Sequence, residues 1–271
     1  MVRMGDRERR ALLAAVAILA LGGCHAETHR VLVIPAPASQ PDLQAARHFN
    51  TPDGLPAPPH SFESAKKAAM TIYADNRTTF YCQCRFDEHK NVDAASCGYV
   101  ARKNAIRGAR VEWEHIVPAH AFGYFRPCWK ERLCTRHGRA HAGRTCCREI
   151  DPDFRRMEAD LQNLVPAVGE LNGDRSNFEF GEIPGEARIY GACDFEVDLS
   201  GRLAEPAESL RGEIARTYLY MHEAYPGGLP LRADERKRFE AWSIQDPPTP
   251  FERTRNHRIS ALQGGGNWFV Y

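Results

Sequence analysis

Apolar side chains recur at helical spacing in several stretches of the chain. The clearest stripe covers residues 208–225 and consists of side chains three or four positions apart: Leu210, Ile214, Tyr218 and Met221. Pro226 and the two glycines after it end this helix. The same spacing, with Ser61 and Asp151 as capping residues, predicts further helices that begin at these two residues and that cover residues 233–242 and 250–262.

Strand-like segments are short. β-Branched and aromatic residues predict strands over residues 78–82 and 109–117, and the second should stop at Pro118. Residues 160–167 are extended and lead into residues 168–177, a helix that its asparagine, glycine and aspartate residues weaken. A polar run that weakens a helix often has a function, although a plain loop explains it as well.

The strand at 109–117 places two carboxylates and a histidine among apolar residues: Glu112, Glu114 and His115. Burying these groups is unfavourable unless they are paired or hold a metal, and a surface strand with alternating charges is the alternative. Adjacent strand residues point to opposite faces. Glu114 and His115 can therefore share one site only if the strand ends or bulges beside them.

The first 60 residues predict an export signal and a linker. Four arginines precede an apolar run over residues 11–21, which is too short to span a bilayer comfortably. The sequence LGGC ending at Cys24 resembles a bacterial lipobox, so one expectation is a signal peptide of residues 1–23 with Cys24 acylated. Cleavage near Ala26 and a retained anchor are the alternatives. Residues 24–60 are rich in proline and alanine and predict an extended tether before a domain at 61–271.

The chain contains nine cysteines, and eight of them lie beyond the export signal: Cys82, Cys84, Cys97, Cys128, Cys134, Cys146, Cys147 and Cys193. An even number in an exported chain predicts up to four disulfides, whose pairing the sequence leaves open. A zinc site is the alternative. The spacing Cys82-x-Cys84 is tighter than zinc ligands usually show, and no second close pair of the CxxC type follows.

The overall charge is balanced, with 36 lysine and arginine residues against 35 acidic ones. Net charge therefore gives no sign of a nucleic-acid or membrane partner. A local basic patch does occur in the cysteine-rich segment 123–153, which contains Arg126, Lys130, Arg132, Arg136, Arg139, Arg144 and Arg148 together with His137 and His141. This patch could hold an anionic substrate, and a solvated loop is the alternative.

Three motifs resemble the bacterial endonuclease I family, a group of exported nucleases without sequence specificity. They cover residues 110–119, 156–164 and 169–178, with shorter similarities at 80–84, 97–99 and 215–221. The resemblance extends from about Ser61 to about Leu262. One difference concerns cysteines, because the segment 251–271 has none whereas family members carry them there. Extra cysteines lie in the basic segment instead, so the family does not fix the pairing.

The resemblance implies an α+β fold around a ββα-metal (His-Me finger) active site. By position, His115 corresponds to the general base and Arg144 to the arginine that contacts the scissile phosphate. Glu114 and Asn172 correspond to the protein ligands of a single Mg²⁺ ion. Two further acids correspond to groups that hold water on the metal: Glu112 and Glu158.

The implied activity is Mg²⁺-dependent hydrolysis of DNA at any sequence, leaving 5′-phosphate and 3′-hydroxyl ends, and cleavage of RNA as well stays open. A monomer is expected to act on double- and single-stranded DNA in the periplasm, at the outer membrane as a lipoprotein, or outside the cell. Two other functions stay open. One is an envelope protein that binds DNA without cutting it, and the other is a zinc hydrolase using His115 and His120, although the chain lacks HExxH.

Overall fold

The computed structural model describes residues 49–185 and 187–270. The expected signal peptide, Cys24 and most of the tether lie outside these residues. The tether prediction is wrong at its C-terminal end, because residues 49–60 pack against the domain. Phe49 is buried against the rings of Tyr220 and Trp268, and the Asn50 amide donates to the Gly264 carbonyl at 2.8 Å. The ordered chain therefore includes Phe49 and does not begin at Ser61.

The described residues form a mixed fold of helices and small sheets, α+β as expected. The helices are α1 Phe62–Ile72, α2 Ala105–Gly108, α3 Ala119–Gly123, α4 Pro127–Lys130, α5 Arg144–Ile150, α6 Pro152–Glu158, α7 Gly169–Arg175, α8 Glu208–Ala224, α9 Ala233–Gln245 and α10 Pro250–Gln263. The strands are β1 Arg85–Phe86, β2 Val92–Asp93, β3 Val111–His115, β4 Cys134–Arg136, β5 Arg139–His141, β6 Leu164–Val168, β7 Glu179–Phe180, β8 Phe195–Asp198 and β9 Leu203–Pro206.

The helices predicted from apolar spacing are confirmed. Ser61 caps α1, with its hydroxyl accepting from the Ser64 amide at 3.2 Å, and α8 buries the predicted stripe. The strand predicted over residues 78–82 is wrong. Thr78 makes a single bridge to Arg85, and the chain turns sharply at Gln83, where φ is 57°. Two different disulfides flank this turn and override the strand propensity of the segment.

β3 and β6 form the antiparallel pair on which the site is built. Glu114 lies opposite Val165 and His115 opposite Leu164, and β6 leads directly into α7. β3 ends at His115, as expected from the need for two adjacent residues to share one site. Every residue of β6 is buried because the strand is covered on two sides, by α1 and α10 on one and by the main core with α8 on the other.

The remaining sheets are small. β1 pairs with β2, β4 pairs with β5 as a hairpin, and β7, β9 and β8 form a three-stranded sheet in that order. The basic segment 123–153 is thus structured rather than one loop, with α4, the β4–β5 hairpin and α5 in succession. Gly143 adopts φ 83°, which few other residues tolerate, and this turn takes the chain from β5 into α5.

All eight predicted cysteines form disulfides, paired as Cys82–Cys193, Cys84–Cys97, Cys128–Cys147 and Cys134–Cys146. The framework is confirmed and the zinc alternative for these cysteines is wrong. Two of the bridges tie the basic segment onto α5. No helix within the described part of the chain is long and apolar enough to cross a membrane.

Candidate active site

An open cavity of about 630 Å³ lies beside the end of β3. It is called the central cavity here, and its lining includes Phe62, Glu112, Glu114, His115, Arg144 and Asn172. Five of the six residues that the sequence assigned to a site therefore face one space. Lysine and arginine side chains also reach it: Lys66, Lys90, Arg110 and Arg175. The cavity is thus suited to an anionic ligand.

His115 is buried, and its hydrogen bonds define which nitrogen can act as a base. Nε2 lies 2.8 Å from the backbone carbonyl of Glu158, which can only accept, so Nε2 carries the proton. Nδ1 then keeps its lone pair. Burial, with Arg144 close by, lowers the pKa of His115 to about 3 and keeps the ring neutral. The ring of Phe62 covers the imidazole at a centroid distance of 4.8 Å.

Arg144 reaches the same nitrogen from the first turn of α5. Its Nη2 lies 3.4 Å from His115 Nδ1, and its Nε donates to the buried carboxylate of Glu158. The other oxygen of Glu158 accepts from Arg148 Nε at 2.6 Å. Both guanidinium groups also lie over the Phe62 ring, each 5.4 Å from its centroid. Arg144 is therefore held at a fixed place beside the base.

Glu114 is buried with two hydrogen bonds to one of its oxygens. Oε1 accepts from Tyr81 Oη and from Arg175 Nη1, each at 3.0 Å, whereas Oε2 has no hydrogen-bond partner among residues 49–185 and 187–270. Burial raises the pKa of Glu114, and the positive charge of Arg175 opposes that shift. The structure thus leaves one oxygen of this carboxylate available to a ligand in the central cavity.

Asn172 is oriented by Glu112. Its Nδ2 donates to Glu112 Oε2 at 3.1 Å, so Oδ1 points elsewhere and has no partner in the described part of the chain. Glu112 is itself held by Arg107 and Arg110. Burial raises the pKa of Glu112, but hydrogen bonds from these two arginines outweigh it and lower the pKa overall. Glu112 is therefore an ionised acceptor that fixes the amide.

The donor set fits a hard cation. Glu114 Oε2 and Asn172 Oδ1 are a carboxylate and an amide oxygen without hydrogen bonds, and both side chains line the central cavity. Mg²⁺ is commonly held by one or two carboxylate or carbonyl oxygens and keeps several waters. The one other cluster of possible metal ligands within the described residues, Cys134 with His141 and Glu149, contains a disulfide-bonded cysteine and is not such a site.

Glu158 does not line the central cavity, unlike the other predicted residues. Both of its oxygens bind guanidinium groups, and only its backbone carbonyl contacts His115. The basic segment divides in a similar way. Arg126 is paired with Asp151 at 2.7 Å, and Arg144 and Arg148 are paired with Glu158, whereas four exposed cations have no ion-pair partner in the described structure: Lys130, Arg132, Arg136 and Arg139.

Sequence reasoning missed three residues that shape the site. Arg175, fully buried at the end of α7, donates to Glu114 and to the backbone carbonyls of His115 and Ile116. Tyr81 holds Glu114 from a turn between two disulfides. Phe62 belongs to α1, and its place in a helix gave no sign of the site. Arg175 and Tyr81 did have a signal, because they lie within the family-like segments 169–178 and 80–84.

A neutral histidine beside a fixed arginine, in an open cavity with more cations than acids, suits proton transfer on an anionic substrate. The profile of the Endonuclease I family matches residues 60–271, and the chain belongs to this family. It is 42% identical over 220 residues to an extracellular deoxyribonuclease of Aeromonas hydrophila, covering 80% of this chain and 91% of that protein.

Two further relatives agree. A periplasmic deoxyribonuclease of Aeromonas hydrophila is 43% identical over 214 residues, which is 78% of this chain and 85% of the relative. Endonuclease-1 of Buchnera aphidicola subsp. Acyrthosiphon pisum is 40% identical over 214 residues, which is 78% of this chain and 80% of that protein. Together with the family match, these similarities identify the chain as an endonuclease.

Proposed function

We propose that this endonuclease hydrolyses DNA with one Mg²⁺ ion and without sequence specificity, leaving 5′-phosphate and 3′-hydroxyl ends. The observation that carries the proposal is the neutral His115, with Nδ1 open beside Arg144, in the cavity that also exposes Glu114 and Asn172. The names of the Aeromonas relatives support DNA as the substrate. The predicted ββα-metal core would consist of β3, β6 and α7.

His115 Nδ1 takes the proton from the attacking water. The carbonyl of Glu158 holds the ring by Nε2, so the lone pair of Nδ1 stays directed at the cavity. A pKa of about 3 would make a weak base. A bound phosphate would add negative charge beside the ring and offset the positive charge of Arg144, and both effects would raise the pKa of His115 towards neutrality.

Arg144 binds the scissile phosphate. Its contact with Nδ1 is long, at 3.4 Å, so phosphate oxygens can replace that contact without disturbing the bond to Glu158. Guanidinium groups bind phosphate through paired N–H donors and stabilise charge that develops during the reaction. Glu158 and the Phe62 ring hold this group in place, which gives Glu158 a role in positioning Arg144 instead of holding water on a metal.

Glu114 Oε2 and Asn172 Oδ1 would hold the metal ion. When bound, Mg²⁺ supplies a Lewis acid that stabilises the charge on the phosphate and on the departing 3′ oxygen. Arg175 and Tyr81 fix Glu114 from behind, and Glu112 fixes the Asn172 amide so that its oxygen is presented. These neighbours leave one oxygen of each ligand free without letting either side chain rotate.

The four unpaired cations of the basic segment would attract the phosphate groups of DNA. Contacts to phosphates carry no base information, which agrees with cleavage at any sequence.

We also propose that the enzyme works outside the cytoplasm. Four disulfides fit an oxidising compartment, and relatives are named extracellular or periplasmic. Cys24 acylation, a monomeric state and RNA cleavage stay predictions.

Plasmid digestion by the oxidised protein tests the proposal, with Mg²⁺ alone and with excess EDTA. Cutting that EDTA abolishes and added Mg²⁺ restores is expected. Binding without cutting in Mg²⁺ would instead support the DNA-binding envelope protein.

Asn172→Ala should raise the Mg²⁺ concentration needed for half-maximal rate. Gln245→Ala is the matched control, because this exposed amide of α9 is outside the central cavity. An unchanged Mg²⁺ requirement in Asn172→Ala would contradict the ligand assignment.

A further inference from the structure

A second cleft, of about 710 Å³, adjoins the central cavity. It is called the side cleft here. Pro118, His120 and Asn177 line both spaces, so a bound chain could pass from one to the other without leaving the surface. The other walls of the side cleft include Tyr124, Phe178 and Arg202. None of these residues has a role in the mechanism above.

A tier of three rings separates the two spaces. Tyr124 stacks on His120 with ring centroids 5.3 Å apart and planes 11° apart. The edge of Trp129 meets His120 at 5.8 Å, and Trp129 lines the central cavity. Tyr124 is 47% exposed. Among residues 49–185 and 187–270, it is the one aromatic residue in the set of exposed large hydrophobic residues. The exposed ring of Tyr124, beside the central cavity, offers a face on which a nucleic-acid base can stack.

The ring tier is packed at Trp129 and is uncharged. Trp129 lies directly against Gly123, where a Cβ atom would come within 2.3 Å of the indole, and its ring centroid is 6.0 Å from that of Phe154. His120 belongs to α3, the helix that Gly123 ends. Burial, with a smaller contribution from Arg202, lowers the pKa of His120, so at neutral pH its ring offers a neutral stacking surface.

A cation, Arg202, also lines the side cleft. Arg202 places its guanidinium over the Phe178 ring, 4.9 Å from the centroid, and donates to Asn177 Oδ1 at 2.8 Å. Arg202 has no carboxylate partner among residues 49–185 and 187–270. Exposed aromatic rings together with an unneutralised cation are the combination by which proteins hold single-stranded nucleic acid, with bases on the rings and phosphates on the cation.

We propose that the side cleft is a stacking subsite for an unpaired base of single-stranded DNA, adjacent to the phosphate bound in the central cavity. The inference deepens the proposed nuclease function and rests on it. Bases inside a duplex are already stacked on one another and have no free face for Tyr124. The subsite therefore adds affinity for single strands and leaves duplex binding to the phosphate contacts.

Binding of two fluorescent oligonucleotides to the oxidised protein in EDTA tests the inference without cleavage. One is a single-stranded thymidine 12-mer, and the other is a 12-mer of abasic sites with the same phosphates. The wild-type protein should bind the base-containing strand about 5- to 150-fold more tightly, the range expected for one stacked base. Equal affinity for the two strands would overturn the subsite, whether or not any variant folds.

Two substitutions of Tyr124 locate the effect. Tyr124→Ser should lose most of the preference for the base-containing strand, and Tyr124→Phe, which keeps the ring, should retain it. A preference that survives in Tyr124→Ser, in a variant with the parent's melting temperature, would overturn the role of the side cleft. A wild-type protein that fails to cut plasmid with Mg²⁺ would refute the proposed nuclease function. Cutting with no base preference would refute the subsite alone.

Discussion

Two groups of arginines lie only a few residues apart in the basic segment and differ in every other respect. Arg144 and Arg148 of α5 are half-buried, and both bind the carboxylate of Glu158, which is almost fully buried. Arg136 and Arg139 of the β4–β5 hairpin are exposed and have no carboxylate partner in the described structure. An acid fixes the orientation of the first group and offsets its charge, whereas no neighbouring acid offsets the charge of the second group.

This difference indicates two separate uses of positive charge. A guanidinium held by a buried acid has lost part of its attraction for distant anions but stands at one place, as catalysis requires. An unpaired surface cation has no fixed geometry, but it attracts phosphate over a range set by the salt concentration. In the proposed function, the segment would combine positioning on α5 with attraction on the hairpin, and disulfides join the two.

Reduction of the disulfides should have the largest effect because it breaks both groups at once. Cys128–Cys147 and Cys134–Cys146 attach the hairpin and α4 to α5, and each such bridge stabilises a fold by roughly 2–5 kcal/mol. We expect near-complete loss of plasmid cutting after reduction and alkylation. Full activity in protein that mass spectrometry shows to be completely alkylated would contradict this expectation.

Glu158→Gln should release the fixed arginines and leave the unpaired ones untouched. The amide keeps the shape but removes the charge that Arg144 and Arg148 share, and misplacement of a catalytic group by about 1 Å can reduce the rate roughly 10²-fold. A fall of that size in kcat at saturating DNA is expected. Glu149→Gln, which removes an exposed acid of α5, the helix that carries Arg144 and Arg148, is the control. Equal rates for the two variants would show that Glu158 does not position Arg144.

Removing the charge of three unpaired cations should weaken DNA binding and leave the rate of the chemical step unchanged. The triple variant Arg132→Gln, Arg136→Gln and Arg139→Gln should reduce the slope of log binding constant against log salt by about 2.7, at 0.9 per phosphate contact. The rate at saturating DNA and low salt should stay near that of the parent. Three exposed cations elsewhere provide a control with the same change in charge: Lys67→Gln, Lys237→Gln and Arg253→Gln. Identical slopes for both triple variants would refute a hairpin contact.

The smallest expected effect concerns the stability of the fold and does not involve DNA binding. Burial raises the pKa of Glu213 to about 7. The negative charge of the neighbouring Glu252 adds to this shift, and the positive charge of Arg255 opposes it. The folded state then binds a proton more tightly than the unfolded chain. Its contribution to the free energy of unfolding is full below the ordinary carboxyl pKa near 4.5 and is lost as pH rises to 7.

Urea unfolding of the oxidised protein at several pH values measures this loss. Glu213→Gln should flatten the pH dependence between 4.5 and 7, whereas Glu208→Gln, an exposed acid on the same helix, should not. A Glu213→Gln profile that follows the parent would place the titrating group elsewhere.

Local patterns in the sequence were enough for the helices and for the residues of the motifs. The stripe of α8 follows from its spacing, and the end of β3 at His115 follows from the alternation of strand faces. The pairing of Arg144 with Glu158 could not be foreseen, because no periodicity relates residues that approach through the fold. The strand expected at 78–82 failed for a similar reason, since disulfides to Cys193 and Cys97 determine that turn.

The tautomer of His115 also had to come from the structure. The sequence offers a histidine between acids, which suggests a carboxylate partner, but the partner of Nε2 is the backbone carbonyl of Glu158. Main-chain contacts across the fold leave no trace in side-chain patterns. The same holds for Phe62, whose helical spacing predicts a core position although its ring lies over His115 and the two arginines.

Single-turnover cleavage by His115→Ala tests whether His115 is the general base. Enzyme in saturating excess over plasmid DNA, with Mg²⁺, isolates the chemical step. DNA binding in EDTA and the melting temperature show whether the variant is otherwise intact. We expect a rate lower by roughly 10²–10⁴-fold with binding nearly unchanged. Cleavage by the folded variant at the parent's rate would contradict it.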